Sequence, residues 1–389
     1  MKKFLFFILF IAATLIIAGV VFWERIAPRI FSPNGTSGTP GVSVNAFLNS
    51  ENDGIKEKSE DDIEDIAIIA NNLQIPWEMA FLPDGSVLVT ERPGNLLRVF
   101  PSRESFPVEG AYHIGEGGLL GMTMHPQFSD NNYLYLYLTT RTGEGIENRI
   151  ERYVFQDNNL RERSVILSGI PGAQYHDGGR MEFGPDGKLY ITTGDAGNSN
   201  LAQSKESLAG KILRLNDDGS IPSDNPFGNA IYSYGHRNPQ GLAWDDEGNL
   251  WATEHGRSGV RSGYDELNKI EPGKNYGWPV IQGSEAREGM ESPVIHSGAN
   301  TTWAPAGAVY WDGSVFFAGL RGEALYEVRI EDGSSDIQTH FYREFGRLRA
   351  VVLGQDGNFY LATSNTDGRG TVREGDDVII RINPEIFRN

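Results

Sequence analysis

GHRNPQGLAWDDEGNLWATEHGRSGVRSGYDELNKIEPGKNYGWP, residues 235–279, has one β-hairpin at its centre. An apolar run from Gly241 leads into an Asp-Glu-Gly-Asn turn, and a second run ending at Glu254 alternates apolar and polar residues. The flanks of the hairpin hold Arg237, Asn238, Glu254, His255, Asp265, Glu266 and Tyr276 among glycines and prolines. Ionisable groups on glycine-rich loops beside short rigid strands are how a β-scaffold builds a site.

The hairpin is one of a series. MAFLPDGSVLVTE (79–91), MTMHPQFSDNNYLYLYLTT (122–140), MEFGPDGKLYITTGD (181–195), LAWDDEGNLWATEHG (242–256), AVYWDGSVFFAGL (308–320) and VVLGQDGNFYLATS (351–364) share one plan. Each is an apolar strand, a turn usually built on Asp-Gly or Glu-Gly, and a second apolar-alternating strand. Such spacing, roughly 45–65 residues, suits four-stranded propeller blades with loop insertions. Similar hairpins repeated along a chain fit radial symmetry better than a sandwich. The strand-like segments 63–73 and 376–384 would complete one blade between them, closing the ring and removing free sheet edges. The expected fold is all-β, a six-bladed β-propeller over residues 63–389, with helix confined to one turn near 203–209.

The bulk numbers agree. Forty-seven glycines and nineteen prolines in 389 residues favour frequent turns over helices. A net charge of −18 argues against nucleic acid or an anionic membrane surface as partner. The absence of cysteine excludes disulfides, a thiolate nucleophile and Cys-ligated metal. Ahead of the propeller, Lys2 and Lys3 precede an apolar run from Phe4 to Trp23, about the twenty residues a bilayer needs. Residues 1–25 therefore read as a transmembrane anchor helix with the remainder outside the cytoplasm; a cleaved signal peptide is the competing reading. Residues 26–62, rich in Ser, Gly, Asn, Pro and charge, read as a flexible linker.

Propellers carry their sites where loops from several blades converge on the channel. His176 lies in HDGG just before an inner strand, and imidazole is the default general base. Glu116 holds the matching place in the preceding blade, within EGGLLGM; with no third glycine and no helix after it, this is not a dinucleotide loop. Arg237 and Asn238 again precede an inner strand and offer donors to an oxygen-rich ligand. The acidic stretch 254–279 supplies oxygen donors of the kind Ca²⁺ prefers. Arg347 and Arg349 lie on one strand face and suit an anionic ligand.

Taken in order, PWEMAFLPDGSVLVTERPG, GEGGLLGMTMHP, HDGGRMEFGPDGKLYITTGD, SLAGKILRLNDDGSIPSDNPF, YGHRNPQGLAW, EHG, DELNKI and NYGWP resemble the glucose/sorbosone dehydrogenase family over roughly residues 65–384. The resemblance implies a pyrroloquinoline quinone and Ca²⁺ enzyme. By it, His176 is the catalytic base, and Arg237 and Asn238 contact the quinone oxygens, Arg237 with a catalytic role. The carbonyls of Gly256 and Arg257 hold the cofactor's Ca²⁺, while Glu266 and Tyr276 bind a further structural Ca²⁺. Arg321, Arg347 and Arg349 meet the cofactor carboxylates, and Glu116 joins the cofactor site. Four positions depart from the family's habit: Glu116 stands where glutamine is frequent, Asp177 where asparagine is frequent, Tyr175 replaces an aspartate ahead of the catalytic His, and Arg257 replaces proline ahead of a lengthened loop. Trp303 is expected as an apolar wall for a sugar or quinone face.

The function so implied is oxidation of an aldose at its anomeric carbon to the lactone, with electrons passed to an external acceptor. A Ca²⁺-dependent propeller hydrolase such as a lactonase, with His176 as base and no quinone, is one alternative. A non-catalytic, membrane-anchored binding propeller is another. The cofactor arginines speak against the first, and retention of His176, Arg237 and Asn238 together speaks against the second.

Overall fold

The computed structural model describes residues 39–40, 65–143, 145–259, 262–330 and 336–388. Six blades, each built on four antiparallel strands, follow one another along the chain. Five run in sequence from the innermost strand outward, the sixth takes its outermost strand from the start of the propeller, and blade 5 gains a short fifth strand in parallel at its outer edge. Blade 1 comprises Pro76–Phe81, Val87–Glu91, Asn95–Phe100 and Glu104–Pro107. Blade 2 comprises Leu119–Met124, Tyr133–Thr142, Gly145–Gln156 and Asn159–Pro171, and blade 3 Met181–Phe183, Leu189–Thr193, Lys211–Leu215 and Ile231–Tyr234. Blade 4 comprises Pro239–Trp244, Leu250–Glu254, Glu266–Ile270 and Ile295–His296, and blade 5 Pro305–Trp311, Ser314–Gly319, Ala324–Arg329 and Ile337–His340. Blade 6 takes Leu348–Leu353, Phe359–Thr363 and Ile379–Ile382 from the C-terminal part and its outermost strand, Ile66–Ala70, from the start of the propeller. The expected six-bladed propeller and its closure are both present. Ile66 opposes Ile382 and Ile68 opposes Ile380, so the two ends of the domain are stitched by a sheet ladder.

The repeated turn has a chemical basis. Asp84, Asp186 and Asp356 each accept, through a side-chain oxygen, the amide two residues on, at 2.9, 3.0 and 3.1 Å. The glycine that follows is left-handed in each case, at φ +83°, +70° and +78° for Gly85, Gly187 and Gly357. Blade 2 lacks this glycine and turns through the short helix Phe128–Asn131, which Asn132 ends at φ 56°.

Six buried apolar clusters fill the spaces between neighbouring blades. Tyr135, Tyr137 and Ile150 of blade 2, for example, meet Leu189, Ile191 and Leu213 of blade 3. Phe316 and Ala318 of blade 5 meet Phe359 and Leu361 of blade 6, while Tyr360 and Ala362 meet Met79 and Val89 of blade 1. Because every second strand is covered on both faces, all five residues of Val87–Glu91, Leu189–Thr193, Leu250–Glu254 and Phe359–Thr363 are buried.

One feature of the blades shapes the site. Five of the six inner hairpins slip register near the start of the inner strand, at Pro76/Glu78, Leu119/Met122, Pro239/Gly241, Pro305/Ala308 and Leu348/Ala350. Such bulges re-aim side chains. The residues they contain include Trp77, Gln240 and Arg349, which converge below the channel mouth.

The expected helical turn falls slightly earlier than 203–209, at Asn200–Gln203, because Ser204 leaves the helix in an extended conformation. The expected anchor helix over residues 1–25 and most of the expected linker fall outside the described residues. Within the linker, Thr39–Pro40 pairs in parallel with Gln338 and Thr339 at the outer edge of blade 5. Among the described residues no helix is long and apolar enough to cross a membrane.

Candidate active site at the channel mouth

Inner and second strands of each blade are antiparallel, so residues just before the first and just after the second share one face of the ring. Glu116, His176, Arg237, Asn238 and Arg347 occupy the first kind of position. Arg92, Asp195, His255, Gly256, Arg321 and Asp367 occupy the second. Each of the six blades thus delivers a polar group to a single mouth from at least one of these two loops.

His176 is held in a left-handed conformation, φ 63°, which a non-glycine residue adopts only when its surroundings impose it. Its ring Nδ1 lies 2.6 Å from Asp195 Oδ1. The other Asp195 oxygen accepts the Trp278 indole N–H at 2.9 Å. Burial opposes the charge on Asp195, but the bonds from His176 and Trp278 outweigh it and hold the carboxyl below its ordinary value. An ionised carboxylate only accepts, so Nδ1 carries the hydrogen and Nε2 presents its lone pair. With its side chain 18 % exposed, His176 is open enough to meet a ligand at the mouth. This is the geometry of an oriented general base.

The guanidinium of Arg237 lies 5.4 Å over the Trp278 ring and donates to Ser258 Oγ at 2.8 Å. The Arg237 backbone carbonyl accepts the Asp195 amide at 2.7 Å, tying the two loops together. Asn238 Oδ1 accepts the Gly178 amide at 3.0 Å, so part of its role is to brace the loop that carries His176.

Beneath this rim sits an excess of buried cations. Arg347 donates to Asp367 at 2.7 Å and to the Leu320 carbonyl at 3.1 Å. Arg349 donates to Gln240 Oε1 at 2.6 Å and lies 5.6 Å from the Trp77 ring centroid, with Arg180 over the same indole at 4.4 Å. Arg180 pairs with Glu78, and Arg92 donates to the Gly115 carbonyl at 2.8 Å. Burial, reinforced by neighbouring Arg92, pushes the Arg349 guanidinium down to about 9. The buried Nε atoms of Arg92, Arg347 and Arg349, Nη2 of Arg180 and Nε2 of His255 have no hydrogen-bond partner. Donors withheld from water and from protein fit an oxygen-rich polyanion at the mouth. Burial drives the His255 imidazole down to about 3, so it stays neutral there.

The expected metal residues cluster in blade 4. At Gly256 a Cβ would come within 2.2 Å of the Gly263 and Tyr264 carbonyl oxygens, so only glycine fits. Asp265 fixes this turn by accepting the amides of Gly256 (2.8 Å), Trp303 (2.6 Å) and Ala304 (2.8 Å). The Arg257 carbonyl accepts the Gly263 amide at 3.2 Å. Glu266 faces Glu254 across the ladder, and both line a small cavity with Tyr264 and Gln282. Burial and the Glu254 charge raise the Glu266 carboxyl to about 8. Tyr276 borders the same cavity, but its hydroxyl is committed elsewhere, to the Lys269 carbonyl at 2.7 Å and the Glu271 amide at 2.8 Å. Among the described residues no group of three or more His, Asp or Glu is placed to hold a metal, so a cation here would combine the Glu254 and Glu266 carboxylates with carbonyl oxygens.

Arg321 follows the second strand of blade 5, its amide bonded to the Trp303 carbonyl at 3.1 Å. Trp303 itself does not form a wall of the site. It is fully buried between Phe317 and Tyr326, with centroids 5.5 and 5.7 Å away, because its loop turns the indole into the blade 4–blade 5 core. Asp195, Trp278, Arg369, Arg92 and Arg180 also belong to the site, although none stands out in the sequence as a candidate. For Asp195 a signal existed: it closes the TTGD end of the same hairpin that His176 precedes.

The Glucose / Sorbosone dehydrogenase family pattern matches residues 73–380. The PQQ-bound form of aldose sugar dehydrogenase from Streptomyces coelicolor is 40 % identical, over 81 % of this chain and 97 % of that one, with a TM-score of 0.75. A putative oxidoreductase (glucose dehydrogenase) from Thermus thermophilus is 41 % identical, over 81 % of this chain and 98 % of that one, with a TM-score of 0.76. Aldose sugar dehydrogenase YliI of Escherichia coli is 29 % identical, over 78 % of this chain and 91 % of its own length.

Proposed function

Because the chain belongs to the glucose/sorbosone dehydrogenase family, we propose that it is a quinoprotein sugar dehydrogenase that oxidises the anomeric carbon of an aldose to the lactone. The observation that carries this reading is the juxtaposition of the His176–Asp195 dyad with buried arginines whose Nε atoms have no partner. A base alone would serve many reactions; a base beside a cradle for a polyanion suits a carboxylate-bearing redox cofactor. When bound, pyrroloquinoline quinone supplies the hydride acceptor and its Ca²⁺ a Lewis acid.

The residues present fit that group. Arg92, Arg347 and Arg349 would meet its carboxylates, with Arg321 at the same rim. Arg237 and Asn238 would approach its oxygens, and the Gly256 and Arg257 carbonyls its Ca²⁺. His176 Nε2 takes the proton from the anomeric hydroxyl, and Asp195 stabilises the imidazolium that results while keeping the ring oriented. Trp278 holds Asp195 from its other oxygen and carries Arg237 on its face, so one indole braces both the partner of the base and this cation. Glu266 and the ring edge of Tyr276 are proposed to border a second, structural cation site. A positive ion between Glu254 and Glu266 would relieve the repulsion that raises the Glu266 carboxyl.

The proposal extends to an external electron acceptor and to an extracytoplasmic site of action, for which the apolar run from Phe4 to Trp23 is the support. Purified protein reconstituted with the quinone and Ca²⁺ is expected to reduce a dye in the presence of aldoses. Cleavage of lactones or esters without the quinone, and no dye reduction with it, would overturn the proposal.

A further inference from the structure

The loop bearing His176 is clamped from one side by the tight turn at residues 114–117. The Glu116 amide donates to the Gln174 carbonyl at 2.9 Å, and Glu116 Oε2 accepts the His176 amide at 3.0 Å. Gly115 sits so close to this loop that a Cβ would lie 2.1 Å from the Gln174 oxygen. Its own carbonyl is held by Arg92 at 2.8 Å. The second Glu116 oxygen, Oε1, pairs with Arg369 Nη1 at 2.7 Å. Arg369 comes from the loop after the second strand of blade 6, so this contact spans the mouth across the end of blade 1. Its backbone amide donates to Asp367 Oδ1 at 2.8 Å, and Asp367 Oδ2 holds Arg347.

A charge at Glu116 is therefore not left facing the cationic cradle alone. Although burial works against ionisation, Arg369 and then His176 hold the carboxyl well below the usual range. Glutamine at this position could accept the His176 amide but could not pair with Arg369. We propose that Glu116 is a positioning residue that keeps His176 in its left-handed conformation, and that Arg369 acts as the latch holding Glu116 in place. The inference takes His176 as the base, as in the function proposed above. It adds that the base is set by an ionic strap between blades 2 and 6, which shares Asp367 with the cofactor arginine Arg347.

The test begins with quinone-free protein and reads backbone hydrogen exchange of the peptide containing His176. Exchange at its amide should rise about tenfold or more in Glu116→Ala, the scale set by a hydrogen bond to a charged group. Glu116→Gln should exchange less fast than Glu116→Ala. Arg369→Gln, a change at a half-exposed side chain, should raise exchange several-fold while leaving the thermal midpoint near wild type. In reconstituted enzyme the same variants should lower kcat with the quinone half-saturation unchanged, and Glu116→Gln should recover part of the loss. Unaltered exchange at His176 in folded Glu116→Ala, or in Arg369→Gln should the former not fold, overturns the strap. Absence of sugar oxidation by wild type would instead overturn the proposed reaction and leave the exchange result to decide the strap by itself.

Discussion

Replacing Asp195 by Asn keeps the shape of the dyad and removes its charge. In the proposed reaction the imidazole of His176 becomes positive next to a carboxylate whose oxygen is 2.6 Å from Nδ1. With charge centres about 4 Å apart and an effective dielectric near 20, that attraction amounts to about 4 kcal/mol. At roughly 1.4 kcal/mol per decade, full loss would slow the chemical step about 10³-fold. Asn still accepts one hydrogen bond, which reduces the expected loss to on the order of 10²–10³ in kcat. The Asp195 side chain bonds His176, Gly197 and Trp278 and none of the carboxylate-binding arginines Arg92, Arg347 and Arg349, so quinone affinity should stay close to wild type. The assay is dye-linked aldose oxidation at saturating quinone and Ca²⁺, with binding followed separately by quenching of tryptophan fluorescence. A kcat within threefold of wild type, or a defect confined to quinone affinity, would refute the assignment of Asp195 as the partner that orients and stabilises the base.

Arg347→Ala should act on binding more than on turnover. Loss of one charge-assisted contact predicts a roughly 10–100-fold rise in quinone half-saturation, read by titration, with kcat at saturation largely retained. Asp177 is buried, with Oδ2 unpartnered, and burial raises its carboxyl to about 7. The folded protein thus holds this proton to higher pH than the unfolded chain does. Its contribution to stability is complete below about pH 4 and is lost as pH rises through about 7. Asp177→Asn should therefore raise the thermal midpoint by several degrees at pH 8 and leave it nearly unchanged at pH 4; an equal shift at both values would contradict this. Within the propeller closure, Ile68→Asp should not be disruptive, since that side chain is 60 % exposed, whereas Ile380→Asp, fully buried, should abolish cooperative unfolding seen by calorimetry.

Much of the fold was legible because its repeat is written in local chemistry. An aspartate that accepts the amide two residues on, then a left-handed glycine, marks a hairpin wherever it occurs, and the apolar runs on either side fix two strands per blade. Closure was legible too, since only two segments lacked partners. The outer strands were harder to read: Glu104–Pro107 and Ile295–His296 are short and lack a buried stripe. In the site, groups preceding inner strands could be found by their register, which brought out Glu116, His176, Arg237 and Arg347. Their partners follow second strands or lie far off in the chain, as Arg369 does 253 residues from Glu116. Nothing local distinguishes Arg369 from a surface arginine. Trp303 misled for a related reason. An aromatic residue among Asn, Thr and Pro resembles a ligand wall until packing shows it filling the space between two blades.

In the proposed function one histidine does the proton chemistry, in a site whose arginines would bind the cofactor independently of it. His176→Ala, reconstituted with the quinone and Ca²⁺ beside wild type, tests this most directly. The expected result is quinone binding of wild-type affinity with aldose-dependent dye reduction lower by on the order of 10²–10⁴. Turnover comparable to wild type in that variant would contradict the account.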